Sequence, residues 1–395
     1  MKKTGLISLI ILLTLFIGCS DDDKSVDSDN PPSVPTNLVA VGSLGNIHLS
    51  WDASTGEGLL GYNIDRSTDG VNFYQRNGDP VVPTEFDDTD VLDGVVYYYR
   101  VMADGDGESA PSNVVKEIHG TRLEASYDNG LTIESGVLNP YVVEDTVVVN
   151  GGNLVIQDGA KLYLKDDAIL DMDTFNIRVY GLLRVVATAD ANATITGHRV
   201  GGALNDGEGF RLQFDDADDF EAVGNTGCLI QNTMISNLRS SNNALDILNC
   251  SPRIYNCKIT ANMTTGGSYF EIRGTSAPII ENCSINNIVL AIRSDLRSTT
   301  ALIQNNFCRD GYYSLYFAGL DNPTVTAGQI AYNNFDGNVN GLRLNGMSGD
   351  YSIPLGNNYW DGGVPFISRS TSDITVLVDF SPALVSAPTG CGPTW

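Results

Sequence analysis

The chain has 395 residues, of which 48 are acidic and 23 are basic, so its formal net charge at pH 7 is −25. A surface with this excess of negative charge repels nucleic acid and the anionic faces of membranes, which excludes both as partners of the folded chain. Only three histidines are present, so a Ser-His-Asp catalytic triad and a histidine-rich metal site are not expected.

The first residues predict an export signal with a lipid anchor. Two lysines precede an apolar run, residues 6–17, that is too short to span a bilayer, and Cys19 directly follows Gly18. The Gly-Cys pair resembles the lipobox of bacterial lipoproteins, and the acidic run after it resembles the tag of lipoproteins exposed on the cell surface. This resemblance implies that residues 1–19 are a lipoprotein signal peptide and that Cys19 is lipidated in an outer membrane, facing the cell exterior. The alternative is a plain signal peptide that happens to contain a cysteine.

Two further regions precede the main domain. Residues 20–35 are rich in Ser, Asp, Pro and Asn, which predicts a solvated tether. Residues 36–120 contain short segments of alternating apolar and polar residues, separated by turn residues about every ten positions, which predicts a β-sandwich. The region of Tyr97 resembles the tyrosine corner of fibronectin type III domains, and GESAPSN at 107–113 resembles the approach to their last strand. The resemblance implies a spacer or binding module without catalytic groups.

A repeat dominates the rest of the chain. Six segments share an apolar residue, a variable residue and an asparagine, and the asparagines recur at intervals of 23 to 28 residues. A second series of short alternating segments runs between them, which predicts two or three strands per turn of a β-solenoid. Asn tolerates the left-handed backbone of a tight turn, so we expect these residues to stack from coil to coil. The aligned asparagines are Asn232, Asn256, Asn282, Asn305, Asn333 and Asn357.

The segments LVIQDGAKLYL at 154–164 and NNYWDGG at 357–363 resemble the opening and closing coils of the pectate-lyase-like right-handed parallel β-helix superfamily. The resemblance implies an all-β protein with a right-handed parallel β-helix over residues 121–385, after the fibronectin type III-like domain, and a C-terminal tail over 386–395. This superfamily contains lyases, hydrolases, epimerases, adhesins and inert spikes, so the resemblance predicts the fold and leaves the activity open.

The second series of segments also predicts an outward-facing stripe of polar side chains. Strand alternation turns Leu245 and Ile247 inward, so Asp246 points outward. The same rule places outward Arg211, Glu271, Arg273, Arg293, Tyr316 and Arg343.

This stripe predicts a glycan-binding surface. Arg273, Arg293 and Arg343 offer planar donors for sugar hydroxyls or carboxylates, and Tyr316 offers an apolar face to a pyranose ring.

Two other interpretations of the stripe stay open. Asp246 and Glu271, on adjacent coils, are the catalytic candidates for a retaining glycosidase pair, and an arginine flanked by acids suits a polysaccharide lyase that uses calcium. Alternatively, opposite charges pair across neighbouring strands of a solvated face and bind nothing.

Calcium is the one cofactor that the sequence suggests. Its candidate ligands are Asp215, Asp216, Asp218 and Asp219, because hard cations bind clustered oxygens. They lack the glycine-spaced EF-hand pattern, so a solvated loop is the alternative. Among the cysteines, Cys257 and Cys283 follow ladder asparagines and are expected to be stacked, buried thiols, with a disulfide as the alternative, whereas Cys391 is expected to form a disulfide.

Two classes of function follow. The first is a monomeric, non-catalytic surface lipoprotein that binds a polysaccharide or a cell-surface glycan, with the sandwich lifting the β-helix off the membrane. The second is a polysaccharide lyase or glycoside hydrolase that acts on an extracellular polysaccharide. We favour the first, because no catalytic motif of the superfamily is present and the loops are too short to wall a catalytic cleft.

Overall fold

The computed structural model describes residues 30–137, 139–199, 204–205, 208–239, 243–262, 268–294, 301–318, 325–346, 352–361, 363, 365–369 and 377–395. Within these ranges the regular elements are all β-strands, and no helix there is long and apolar enough to cross a membrane. The predicted fold class is confirmed, since a β-sandwich precedes a right-handed parallel β-solenoid. The predicted signal peptide, Cys19 and residues 20–29 of the predicted tether lie outside the described residues.

The sandwich is antiparallel, and alternating side chains build its core. Strands β1, β2 and β5 form one sheet, and β4, β3, β6 and β7 form the other. Alternate residues of β6 from Tyr97 to Ala103 face the core together with Trp51. The Tyr97 hydroxyl accepts a hydrogen bond from the Leu92 backbone N–H at 3.1 Å, which fixes the loop before β6. The strands are β1 (Thr36–Ser43), β2 (Asn46–Asp52), β3 (Gly61–Ser67), β4 (Tyr74–Gln75), β5 (Glu85–Asp88), β6 (Tyr97–Asp104) and β7 (Val115–Glu117).

The solenoid consists of three parallel sheets, because each coil adds one strand to each sheet in turn. Sheet A contains β10 (Leu131–Ile133), β13 (Leu154–Ile156), β16 (Ile177–Val179), β19 (Leu212–Asp215), β22 (Asn243–Leu248), β25 (Ser268–Gly274), β28 (Ile288–Ser294), β31 (Tyr313–Ala318), β34 (Asn340–Asn345) and β37 (Ile367–Arg369). Sheet B contains β8 (Thr121–Arg122), β11 (Tyr141–Val143), β14 (Lys161–Leu164), β17 (Leu182–Val185), β20 (Leu229–Gln231), β23 (Arg253–Tyr255), β26 (Ile279–Glu281), β29 (Leu302–Gln304) and β32 (Ile330–Ala331). Sheet C contains β9 (Ser126–Tyr127), β12 (Thr146–Val149), β15 (Ile169–Asp171), β18 (Ala193–Thr196), β21 (Thr233–Leu238), β24 (Lys258–Ala261), β27 (Ser284–Asn286), β30 (Phe307–Arg309), β33 (Asn334–Asp336) and β36 (Tyr359–Trp360). A separate parallel pair contains β35 (Ser352–Pro354) and β38 (Leu377–Asp379).

One apolar core runs through the solenoid along its axis. In-register pairing stacks like side chains from coil to coil, and each fully buried Leu, Ile or Phe contributes about 1.5–3 kcal/mol. One such column in sheet A contains Leu212, Leu245, Phe270, Leu290, Leu315 and Leu342.

The asparagine turn follows the prediction with one correction. Asn232, Asn256, Asn282, Asn305 and Asn357 are all left-handed, with φ between 48° and 60°. The remaining place in this row belongs to Tyr332, which has φ 59°, so the prediction for Asn333 is off by one residue. The repeat there reads Tyr-Asn-Asn, and an alignment on the first asparagine shifts the register by one.

We call the column of left-handed residues the turn row. Asn333 instead belongs to the inner row, the column of residues that come one position after the turn row in each of these coils. Each side chain in this row donates a hydrogen bond to the carbonyl of an isoleucine in the preceding coil. The acceptors are Ile230, Ile254, Ile280, Ile303 and Ile330, and the corresponding donors are Cys257 (3.5 Å), Cys283 (3.6 Å), Asn306 (2.9 Å), Asn333 (2.8 Å) and Asn358 (2.8 Å). The asparagine oxygens also accept from the backbone of the coil before, as Asn333 does from Asn306 at 3.0 Å. This row therefore ties successive coils together.

The cysteines of the described chain are free thiols. Cys257 and Cys283 are buried on adjacent coils, as expected, and burial raises the pKa of the Cys283 thiol well above its ordinary value. The expectation of a disulfide at Cys391 is not met, because its sulfur is a free thiol that contacts the Tyr332 carbonyl at 3.0 Å.

Residues 391–395 run back along the solenoid over the turn row. The Gly392 backbone N–H donates to the Asn305 carbonyl at 3.0 Å, and the Trp395 indole donates to the Asn256 carbonyl at 2.9 Å. The Lys258 ammonium lies 3.9 Å from the centre of the Trp395 ring, a cation–π contact. This segment crosses several coils and covers their turns.

The sandwich packs against the outer face of sheet B. Tyr163 and Leu182 of this sheet form a small apolar cluster with Ile118, which follows β7. The buried carboxylate of Glu117 pairs with Lys165 at 2.9 Å. The junction of the two units therefore has its own apolar and ionic contacts.

We predict that Asn306→Ala lowers the free energy of unfolding by about 1–3 kcal/mol, because the Ile280 carbonyl and the Cys283 N–H lose their partner in a buried place. Urea denaturation measures the change. Asn129→Ala, at an exposed asparagine, is the control and should change stability by less than about 0.5 kcal/mol. Equal losses in the two variants would show that the inner row does not stabilise the coils.

Candidate functional site

The predicted stripe forms two adjacent rows on the outer face of sheet A. Its members share an outward orientation because each alternates with a core residue along its strand. The first row contains Asp246, Glu271, Tyr316 and Arg343, and the second contains Arg273 and Arg293. The structure thus brings the sequence-predicted residues onto one face.

Asp246 lies in a buried ion-pair network. Only 2% of its surface is exposed, and its oxygens accept hydrogen bonds from Arg211 Nη2 and Arg273 Nε, both at 2.8 Å. Asp246 lies on the outer face, as the alternation predicts, but guanidinium groups from both sides cover its carboxylate.

Glu271 has a similar environment and is also buried. One oxygen pairs with Arg293 Nε at 3.2 Å, and the other accepts a hydrogen bond from Asn243 Nδ2 and lies 3.4 Å from Arg273 Nε. Opposite charges on this face therefore pair across neighbouring strands, but the carboxylates themselves are not solvated.

The geometry of the two carboxylates bears on the glycosidase interpretation. Asp246 and Glu271 are paired residues on adjacent strands, whose spacing is about 4.8 Å. A retaining glycosidase needs one carboxyl group that donates a proton and one that reaches the substrate. Here cations and an amide already occupy the carboxylate oxygens.

Tyr316 lies within a cluster of tyrosine rings. It is 8% exposed, and the ring centroids of Tyr269 and Tyr313 lie 5.8 Å and 6.3 Å away. Its hydroxyl accepts a hydrogen bond from Asn345 Nδ2 at 3.0 Å. The expectation that this ring is open to a sugar is corrected: neighbouring aromatic side chains cover it.

Arg293 and the edge of the tyrosine cluster are exposed on this face. The Arg293 side chain is 41% exposed, and its guanidinium lies 5.6 Å from the centre of the Tyr316 ring. Tyr312 is 44% exposed and packs edge-on against Tyr313 at 4.8 Å. Sequence reasoning missed Tyr312 and Tyr313, although the run GYYSLYF contains three tyrosines within five residues.

Arg343 continues the first row beyond the tyrosines. Its Nη1 donates a hydrogen bond to the Ser368 hydroxyl at 2.5 Å. Its side chain is therefore held along the axis of the solenoid, on the coil that follows Tyr316.

The predicted calcium ligands lie where β19 ends and the following loop begins. Asp215 ends the strand, and Asp216 has a left-handed backbone with φ 48°. Burial raises the pKa of Asp218, and the charge of Asp158 raises it further. Among the described residues no group of three or more His, Cys, Asp or Glu side chains is placed to hold a metal ion.

No family model matches the chain. An amylopullulanase from Thermoanaerobacterium saccharolyticum is 38% identical over 84 residues, which cover 21% of this chain and 6% of that protein. A Fn3-like protein from Clostridium thermocellum is 31% identical, and the match covers 21% of this chain and 86% of that one with a TM-score of 0.19. A β-1,2-glucanase from Parabacteroides distasonis is 22% identical over 23% of this chain and 13% of that one, with a TM-score of 0.21. The chain thus spans only a small fraction of its curated relatives.

We predict that Asp246→Ala lowers the free energy of unfolding by about 3 kcal/mol, because it leaves two guanidinium groups without their shared carboxylate. Thermal and urea denaturation check this loss. Asp310→Asn is the control: it removes the charge of an exposed carboxylate that pairs with Arg309 at 3.5 Å, asparagine tolerates the left-handed backbone at this position, and stability should change by less than about 1 kcal/mol. Equal stability of the Asp246→Ala variant and the wild type would show that this network is not structural.

Proposed function

We propose that this protein is a non-catalytic, glycan-binding protein of the cell surface, and that the outer face of sheet A around Arg293 is its binding site. One observation carries the proposal. The carboxylates of this face are buried and ion-paired, whereas Arg293 and Tyr312 remain exposed. Exposed donors and aromatic rings serve sugar recognition, and an accessible acid and base are what catalysis requires.

The spacing of the coils supports this choice of ligand. Adjacent strands repeat at about 4.8 Å, which is close to the length of one sugar residue. A glycan that lies along the solenoid axis would meet one coil per sugar. Along that axis Arg293 on β28 and Arg343 on β34 lie on either side of β31, which carries the tyrosine cluster.

The sequence comparison adds weaker support. The relative from Thermoanaerobacterium saccharolyticum is named an amylopullulanase, and the segment that it shares with this chain is 84 residues long. Such a segment therefore occurs beside carbohydrate-degrading machinery in a longer protein. For this chain it supports a role in glycan processing or attachment without supplying a catalytic site.

Binding on this face predicts a specific pattern of affinities. On a glycan array, Arg293→Ala should weaken retention about tenfold, because a charge-assisted hydrogen bond is lost. Tyr312→Ala should weaken it about three- to tenfold through the loss of ring contact. Arg309→Ala removes an arginine that is 50% exposed on sheet C and should bind like the wild type.

A turnover assay on the same polysaccharides separates binding from catalysis. The second candidate function is a polysaccharide lyase or glycoside hydrolase, for which Asp246 and Glu271, register partners on adjacent strands, are the catalytic candidates. Release of reducing ends or unsaturated products by the wild type, abolished in Asp246→Asn and Glu271→Gln, would establish that activity. Absence of both binding and turnover on acidic and neutral polysaccharides would contradict both functions.

We also propose that Cys19 carries a lipid that holds the protein on the outer membrane. The Gly-Cys pair after the apolar run is the support for this anchor. In the native host, the wild type should sediment with membranes and Cys19→Ala should appear in the soluble fraction. A Cys19→Ala variant that stays with the membrane would contradict lipidation as the anchor.

A further inference from the structure

Arg184 is a buried cation at the junction of the sandwich and the solenoid. It lies on β17 of sheet B, whose neighbouring residues Leu183 and Val185 face the core, so its side chain is on the outer face. Only 6% of its surface is exposed. The sandwich covers this face of the sheet beside it, through the contact of Gly94 with the Tyr163 ring.

The Arg184 side chain lines two adjoining cavities of about 510 Å³ and 490 Å³. The walls that both cavities share come from the sandwich loop at Gly94 and Val95 and from the solenoid loop at Gly224 and Asn225. Together the cavities form a cleft between the two units, which we call the junction cleft. A volume of this size admits a small molecule of one or two sugar units.

The guanidinium of Arg184 has unused donor capacity. It donates one hydrogen bond, from Nη1 to the Gly227 carbonyl at 2.9 Å. Across the described ranges no carboxylate lies within ion-pair distance of it, whereas Arg211 and Arg273 share Asp246. A guanidinium has five N–H donors, so most of them remain available toward the cleft. Burial lowers the pKa of Arg184, as expected of a cation without a counter-ion.

The other groups of the junction cleft restrict the ligand further. Asp218, Asp219 and Glu221 also line it, and Lys161 is already paired with Asp93 at 2.5 Å. Carboxylates repel a doubly charged anion such as phosphate, but they accept hydrogen bonds from hydroxyl groups. The cleft is therefore suited to one singly charged oxyanion group on a molecule that also carries hydroxyls.

We propose that the junction cleft binds the carboxylate or sulfate ester of a hydroxylated small molecule such as a sugar. The oxyanion receives paired hydrogen bonds from the Arg184 guanidinium, and the hydroxyls donate to the acidic residues of the solenoid loop. This site lies on sheet B and is independent of the glycan-binding face proposed on sheet A.

Calorimetric titration of the folded chain with three probes tests the inference. Methyl glucuronide carries a carboxylate, glucose 6-sulfate carries a sulfate ester, and methyl glucoside carries neither. The wild type should bind at least one of the two anions at millimolar concentration and should not bind methyl glucoside. The anion that binds identifies the charged group for which the cleft is built. Equal binding of methyl glucoside, or no binding of either anion, would overturn the proposal.

Variants assign any binding to Arg184. Arg184→Met keeps the length of the side chain and should weaken binding of the anion about tenfold or more. Arg309→Met, at the exposed arginine of sheet C, should bind like the wild type. If Arg184→Met does not fold, Arg184→Lys provides the test, because an ammonium cannot make the paired hydrogen bonds and should also bind more weakly. Wild-type affinity in the Arg184 variants would overturn the proposal.

The proposals for the two sites can be contradicted independently of each other. Arg293→Ala should leave binding of the small anion unchanged, and Arg184→Met should leave retention on the glycan array unchanged. A loss of both activities in either variant would contradict the independence of the sites.

Discussion

The inner row from Cys257 to Asn358 is the interaction on which the solenoid depends. In the five coils from Ile230 to Ile330, the carbonyl of a buried isoleucine lies just before the left-handed turn, and an unpaired carbonyl in such a place is costly. A thiol or amide from the next coil donates to it. A shift of one residue would break these bonds and turn the apolar columns outward, so this row and the core fix the same register.

That register decides the chemistry of the surface. Because strands of sheet A pair residue by residue, Asp246 is placed beside Glu271, and arginines from the adjacent row lie within reach of both. Carboxylates that are covered in this way gain the attraction of two cations but lose water. The result is a rigid face whose exposed parts are guanidinium edges and tyrosine rings, which suits recognition of a ligand by a fixed surface.

At the junction, the sandwich buries side chains on the outer face of sheet B. Leu182 and Arg184 on β17, and Val186 directly after it, alternate with core residues and would face solvent in an isolated solenoid. The sandwich buries Leu182 in an apolar cluster and encloses Arg184 beside a cleft. The apolar neighbours on either side of Arg184 were a signal that this outer face is covered. The resemblance of residues 154–164 to an opening coil carries no information about what covers this face.

The sequence by itself determined the all-β class, the sandwich, the parallel solenoid and the outward orientation of the charged residues, because these follow from local periodicity and from the backbone preference of asparagine. It misplaced Asn333, since consecutive asparagines satisfy the repeat in either of two registers and only stacking against Asn306 and Asn358 selects one. The tertiary structure alone decided that Asp246 and Tyr316 are covered and that Arg184 lacks a counter-ion. Asp246 is covered by Arg211 and Arg273, and Tyr316 also by Tyr269, all of which are more than twenty residues away in the sequence, and a periodic pattern carries no information about those contacts.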